Sequence, residues 1–471
     1  LRPQGPSNRA VQFLQRGSRN CYGGAGAKRK QELIMNILLI PVGSSGDVHP
    51  FVALGLALRD RGHRVTVLTS AYFEQLIRKT GLDFVGLGTI EHFESVLLHP
   101  DGWHPRRGFR VVFEWGVLPW LRPIYDIVAE RFIAGETVVV ASPLALGARV
   151  AQEKLGVPMV SVQLQPAILR SGHQAPVLPG LPLPDWLPAS LKRLAYWLGD
   201  KLVLDPVVAP ATNAFRAELG LPPVRRLLDR WWHSPERIIG LYPPWFAPPQ
   251  PDWPPQLALT GFPLFDERGL TEPPAAVLDF LDRGPPLVFT AGSAMRQGHA
   301  FFAEAAEACR LLGRRGLLAM RYPDQLPDKL PDGVRHVAYI PFSQLLPRSA
   351  ALVHHGGIGT TAQALAAGIP QLVMPMSHDQ PDNAARVVRL GVGRSLPPKR
   401  FKAPAVARLL DELLKSADVA ARCHEVAQKF DRAEPIADAC RLIEEVGPRN
   451  NVNSCATSGA GASVFSKVTP P

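Results

Sequence analysis

The chain has 471 residues, 46% of them hydrophobic and 20% charged, with 52 Lys and Arg against 41 Asp and Glu and a formal charge of +11. Residues 1–34 carry a net +6 and residues 448–471 a net +2, which leaves +3 on the body between them. The near-neutral body removes the case for a general nucleic-acid binder, the apolar share excludes disorder over most of the length, and no unbroken apolar stretch of about 20 residues offers a helical membrane span.

Length suggests two or three domains. Five cysteines, at 21, 309, 423, 440 and 455, form no CxxC pair and show no metal-ligand spacing, which fits a reducing compartment and no structural zinc. Residues 1–34 read as a disordered basic extension. Their acid-poor, Arg- and Ser-containing start faintly suggests a transit peptide, but the first strong strand opens only at Met35, so a poorly ordered extension or a misplaced start is the plainer reading. From Met35 to Val42 the pattern predicts a strand, followed by a Gly/Ser loop and a helix over Pro50–Arg61, with proline in its first turn and Gly62 at its end. Further strands are expected at Arg64–Thr69, Thr137–Ser142 and Val157–Val162. Strands alternating with helices imply a parallel sheet covered on both faces.

The alternation breaks between about 165 and 255, where prolines are dense, and all nine tryptophans lie between Trp103 and Trp253. Two readings stand: these rings pack a core, or this half lines a cleft for an apolar or aromatic ligand. An amphipathic face for membrane docking is a third. A second set of strands follows at Leu287–Thr290, Gly316–Ala319, Arg335–Tyr339, Ala351–His354 and Gln371–Met374. The expected organisation is an N-terminal Rossmann-like domain over 35–260, a linker over 261–285, a second Rossmann-like domain over 286–430, a closing helix over 431–447 and a disordered tail over 448–471.

Two segments carry chemistry. The loop Gly43–Pro50 joins the carboxyl end of a strand to a helix, where open α/β sheets place ligands. It is neither GxGxxG nor a Walker loop. It offers one carboxylate, Asp47, which is equally suited to be a helix N-cap. The second segment runs Val353-His-His-Gly-Gly-Ile-Gly-Thr-Thr-Ala-Gln363, then Gly368-Ile-Pro370 and Pro375-Met-Ser-His-Asp-Gln380. A Gly-rich turn entering a helix presents unpaired N–H groups and a positive dipole end, which suits a diphosphate. His354 or His355 could add a donor there, Thr360 and Thr361 could add hydroxyls, and Asp379 and Gln380 suit a polyol. Paired histidines also suggest a metal, but no Asp or Cys is spaced to complete the site.

The block 353–383 resembles the donor-binding signature of the family 1 UDP-glycosyltransferases, and Gly43–Pro50 resembles their acceptor-side loop. The resemblance extends over roughly residues 35–445. Trp231–Pro235, Tyr242–Pro249 and Thr260–Asp266 are similar to the bacterial rhamnosyltransferases of rhamnolipid synthesis, and the Gly-Asp-Val core of the first loop is similar to sterol and glycopeptide glycosyltransferases. The resemblance implies the GT-B fold, two doubly wound Rossmann-like α/β domains facing across a cleft, with inverting transfer, no metal and no cofactor.

It also implies roles. Tyr339 takes the place of the residue that stacks on the nucleotide base, and the Ile340 backbone reads the base edge. His355, Gly357, Gly359 and Thr360 approach the diphosphate together with Ser293. Gln363 stands where many relatives use Glu for the ribose, and Asp379 and Gln380 hold the sugar hydroxyls. Asp47 is the expected base, with His49 as the alternative; a partner Asp that orients a catalytic His in plant-type members is replaced here by Ser142. The co-substrate is a UDP-sugar or dTDP-sugar. The acceptor is a hydrophobic hydroxylated molecule, whether lipid, polyketide, sterol or phenolic. The location is cytoplasmic, with peripheral contact at the inner membrane face left open. Two rivals remain: a GT-B nucleotide-sugar epimerase, which would turn over donor alone, and a non-catalytic nucleotide-sugar-binding protein.

Overall fold

A computed structural model of the chain describes residues 34–430 and 434–447. The expected basic extension up to Leu33 and the expected tail over 448–471 lie outside the described residues, as do Cys21 and Cys455. Two parallel sheets organise the rest. The first contains β1 (Asn36–Ile40), β2 (Arg64–Ser70), β3 (Asp83–Leu87), β4 (Thr137–Ala141), β5 (Met159–Gln163), β6 (Arg237–Gly240) and β7 (Leu257–Leu259), in the order β3-β2-β1-β4-β5-β6-β7. The second contains β8 (Leu287–Thr290), β9 (Gly316–Ala319), β10 (Val334–Val337), β11 (Ala351–His354), β12 (Gln371–Val373) and β13 (Gly393–Ser395), in the order β10-β9-β8-β11-β12-β13. These are the two doubly wound domains that the alternating pattern implies. Four strands go beyond those the sequence pattern predicts: β3, β6, β7 and β13.

The continuous apolar run of β1 is used on both faces. Ile37 and Leu39 pack with helix α1 (Ser45–Asp60), whereas Leu38 and Ile40 point into the opposite layer with Val139 and Ala141. A strand covered on both sides needs no polar alternation, so it reads as an unbroken hydrophobic segment. β8 repeats the arrangement, with Leu287 and Phe289 on one side and Val288 on the other.

Helix α1 starts a full turn earlier than Pro50 predicts. Ser44 is its N-cap and Asp47 its third residue, and the Asp47 carboxylate accepts the Ser44 backbone N–H at 2.8 Å. This acid-to-cap contact nucleates the helix ahead of the proline. Pro50 then lies inside the helix and forgoes one backbone bond, toward the Gly46 carbonyl. Asp47 is therefore not the N-cap itself.

The segment 165–235 holds short helices, among them α2 (Ala189–Gly199), whose Tyr196 is buried. The expected linker is only partly a linker. Residues 260–274 carry no helix or strand, but α3 (Ala275–Asp282) packs Val277, Phe280 and Leu281 against Val288 and Leu352 of the second sheet. Beyond β11 come α4 (Ile358–Ala366) and α5 (Gln380–Arg389). The closing helices divide between the domains. The helix Ala417–Ala427 buries Cys423 in the second core, whereas α6 (Pro435–Val446) returns to the first and packs Ala439, Cys440 and Ile443 beside α1. There the Arg61 guanidinium meets the Glu444 carboxylate through two contacts of 2.6 Å.

Candidate active site

Strand order reverses between β1 and β4 in the first sheet and between β8 and β11 in the second. Clefts form at the carboxyl ends of strands at such points. The loops that leave β1, β8 and β11 all open onto one cleft of about 940 Å³. Of the residues singled out from sequence, Asp47, His49, Ser293, Tyr339, Ile340, His355, Gly357, Gly359, Thr360, Gln363, Asp379 and Gln380 line it. His354 and Thr361 do not.

On the first-domain wall, the Asp47 carboxylate accepts from the Ser44 backbone N–H at 2.8 Å and from its hydroxyl at 3.2 Å. Burial pushes this carboxyl from 3.8 up to about 6, against the two bonds from Ser44, which favour the ionised form. The backbone makes room for it: Gly43 has φ +138, and a β-carbon there would lie 2.2 Å from Asp47 Oδ2. His49, one position past Val48, is held by Glu267, whose Oε1 lies 3.0 Å from His49 Nε2, with Phe265 edge-on at 5.5 Å.

On the second-domain wall, adjacent histidines at the end of β11 face opposite ways, as successive residues of a strand must. His354 is fully buried behind the turn, with Nδ1 accepting the Gly356 N–H at 3.1 Å and Nε2 3.0 Å from Gln371 Oε1. It is a strut for the loop. His355 enters the cleft and lies so close to Gly292 and Gly357 that a β-carbon at either would come within 2.7 and 2.5 Å of its ring. Burial pulls His355 down to about 4, so it is neutral, and its Nδ1 has no hydrogen-bond partner among the described residues. Gly357 caps α4, whose first N–H groups, at Ile358, Gly359 and Thr360, have no intrahelical acceptor. Thr361 points inward and returns its hydroxyl to Gly357 O at 3.0 Å.

Asp379 precedes α5 at the rim. Burial pushes its carboxyl up to about 7; the bond from Asn383 Nδ2 at 2.6 Å opposes this, and the charges of Asp47 and Asp382 add to it. Gln380 commits its amide oxygen to the N–H groups of Met376 and Ser377 at 2.8 and 3.2 Å, which shapes the loop. Tyr339 donates its hydroxyl to Asp266 O at 2.6 Å, and Gln363 donates from Nε2 to Leu264 O at 3.2 Å. Both side chains are thus tied to the segment between the domains. Ile340 is buried in the second core and also borders the cleft.

Sequence reasoning missed Glu267, Asp266, Arg321 and His378. Arg321 brings a cation into the cleft and bonds the Tyr72 hydroxyl at 2.7 Å. For Asp266 and the adjoining Glu267 the available signal was the charged end of Thr260–Asp266, which composition alone assigns to a linker. The tryptophans divide three ways. Trp103, Trp120 and Trp232 line the cleft; Trp231, Trp245 and Trp253 pack into cores; Trp115, Trp186 and Trp197 are exposed. Among the described residues no group of three or more His, Cys, Asp or Glu is placed to hold a metal ion, and no helix is long and apolar enough to cross a membrane.

Two family models match the chain: the glycosyltransferase family 28 N-terminal domain over residues 37–173 and the erythromycin biosynthesis protein CIII-like C-terminal domain over 321–443. The chain is 32% identical to the O-mycaminosyltylonolide 6-deoxyallosyltransferase of Streptomyces fradiae, over 87% of this chain and 97% of that protein. It is 28% identical to a sterol 3-beta-glucosyltransferase of Arabidopsis thaliana, over 81% of this chain and 62% of that protein. Among solved structures, the kitacinnamycin glycosyltransferase superposes with a TM-score of 0.67 at 21% identity, covering 88% of this chain and all of that one. The spinosyn rhamnosyltransferase in complex with thymidine diphosphate superposes at 0.60 and 20% identity, covering 87% of this chain and all of that one. With both sheets, the order of their strands and a relative at this identity over nearly its whole length in agreement, the chain belongs to the family 1 UDP-glycosyltransferases of GT-B fold and is a hexosyltransferase of that type.

Proposed function

We propose that the protein is an inverting, metal-independent glycosyltransferase that moves a hexose from a nucleoside-diphosphate sugar to a hydroxyl of an apolar small molecule or lipid. The observation that carries this reading is the placement of a buried carboxylate, Asp47, on one wall of the cleft, with the neutral His355 and the open N–H groups of α4 on the other. In the single displacement, Asp47 takes the proton of the acceptor hydroxyl and the oxygen bonds to the anomeric carbon. The bond from that carbon to the diphosphate oxygen breaks with its electron pair. Charge developing on the diphosphate meets backbone N–H groups, the helix dipole and a His355 N–H donor, which act without reorganising.

In this reading Tyr339 and Gln363 serve the base and ribose, Ser293, Gly359 and Thr360 the phosphates, and Asp379 and Gln380 the sugar, all of them residues that line the cleft. An aromatic wall of Trp103, Phe109, Trp120 and Trp232 supports an apolar acceptor. So do the relatives' names, which pair a deoxyallose with O-mycaminosyltylonolide and a glucose with a sterol. Complexes of structural neighbours with thymidine diphosphate support a dTDP-sugar as donor, with a UDP-sugar as the alternative. Peripheral membrane contact has one supporting feature: Trp186, Leu194 and Leu202 are 80%, 50% and 66% exposed beside cleft-lining Val203. Flotation with anionic vesicles tests it, and absence of binding removes it.

The decisive experiment is a matrix of UDP- and dTDP-sugars against sterol, macrolide, phenolic and hydroxy-fatty-acid acceptors, read by mass spectrometry. A product heavier than the acceptor by one hexose or deoxyhexose residue is expected. Turnover of donor to an epimer, with no acceptor product anywhere in the matrix, would reject the reading.

A further inference from the structure

The loop that carries Asp379 is tied to the opposite wall of the cleft through its preceding residue. His378 has φ +58, a left-handed conformation that a β-carbon disfavours and that His, Asn and Asp adopt far more often than other side chains do. Its ring nitrogen Nε2 lies 3.2 Å from the carbonyl oxygen of Gly102, so that nitrogen carries the proton and donates. Burial holds the ring below the usual histidine range, and hence neutral, against the opposing effect of that bond. The ring also stands edge-on to Trp103, with centroids 5.5 Å apart. Gly102 and Trp103 lie in the turn between the helices Ile90–Leu98 and Gly108–Val111 of the first domain, and Trp103 and His378 both line the cleft.

The two contacts that fix the strained residue are thus made across the cleft, to the turn that carries part of the aromatic wall. The same loop is stiff on its other side: Asp379 is gripped by Asn383 at 2.6 Å, and Asp382 accepts the Val177 N–H of the first domain at 3.0 Å. A shift of the 102–103 turn therefore moves the backbone immediately before Asp379, while α5 behind it stays anchored.

We propose that His378 is a positioning residue for transfer: by donating to Gly102 O it sets the Asp379 carboxylate against the acceptor wall. The donor sugar is then held for attack only when the acceptor-side turn is in place, which restrains hydrolysis of the donor by water. This rests on the assignment of Asp379 to the sugar hydroxyls.

The test compares His378→Gly, His378→Gln and Asp379→Asn in the full chain, with donor KM, kcat, the ratio of free sugar to glycosylated acceptor, and melting temperature as readouts. Glycine relieves the positive φ, so folding is preserved and the melting temperature stays level or rises. The expected result is a rise of about fivefold in donor KM, the loss of one neutral hydrogen bond, with the hydrolysis-to-transfer ratio rising by a similar factor. Gln, whose Nε2 can approach the same carbonyl, should recover most of the ratio. A glycine variant with donor KM and partition within twofold of the parent overturns the proposal. So does a loss that tracks a lowered melting temperature and that Gln does not rescue. A parental donor KM in Asp379→Asn instead refutes the underlying assignment, whatever the His378 variants do.

Discussion

Replacing Asp47 with Asn should make the enzyme slower and more stable at once, and the two effects come from one burial. As the base, Asp47 contributes a factor of about 10² to 10⁴, so kcat should fall by that much, or about 3–5 kcal/mol of barrier. The stability effect follows from the carboxyl's raised position, from 3.8 to about 6. The unfolded chain releases this proton near 3.8, whereas the folded chain keeps it until about 6. The folded state is therefore penalised progressively as pH rises through that window and fully above it. At about 1.4 kcal/mol per unit, the penalty reaches at most about 3 kcal/mol at pH 8, less whatever solvent in the open cleft screens. Asn cannot ionise, yet its amide oxygen can still accept the Ser44 N–H, so the cap of α1 survives. Scanning calorimetry should show the variant melting several degrees above the parent at pH 8 and level with it at pH 4. Nucleotide affinity by titration calorimetry should be unchanged. Near-parental turnover with intact donor binding would refute the base assignment. A variant less stable than the parent at pH 8 would refute the account of the burial.

Other outcomes follow from the same cleft. In Asp47→Asn the charge that helps hold Asp379 near 7 is gone, so the ionisation of Asp379, read from the pH dependence of donor binding, should move to lower pH. Gly43→Ala would place a β-carbon 2.2 Å from Asp47 Oδ2 at a φ of +138; it should cost about 1–3 kcal/mol in thermal melts and lower kcat toward the Asp47→Asn level. His355→Ala removes a preorganised donor and should lower kcat by about 10² to 10³ with little change in acceptor KM, measured by initial rates. Transfer assayed after exhaustive chelation should keep its rate; a loss restored by a divalent cation would defeat the metal-free reading.

Which parts of this were legible in the sequence depends on how the information is stored. Central strands such as β1 and β11 are buried on both faces and stand out as apolar runs. The missed β3, β7 and β13 are sheet edges of three to five residues, and edge strands need neither length nor a continuous hydrophobic face. The pattern misplaces the start of α1 because a proline that suits a first turn also sits in a helix when the bond it forgoes faces an open cleft. Composition does not separate His354 from His355, since both belong to the same His-His-Gly-Gly run. Only the register of β11 decides which ring turns to the cleft and which props the turn.

The residues missed altogether have a common character: their partners are distant in sequence. Glu267 meets His49 218 positions away, and His378 meets Gly102 276 positions away. No periodicity or local spacing encodes such pairs, because neither residue is placed by its own element alone. Their position between the domains gives them significance. Tyr339 and Gln363, expected at the nucleotide, bond the backbone of 264–266, and Glu267 continues from there to His49, two positions from Asp47. A nucleotide that displaces or tightens those bonds therefore acts on a segment that touches the helix bearing Asp47, the proposed base. The local motifs supply the candidate groups for each half-site, whereas the contacts that join the two walls of the cleft are brought together only by the folded chain.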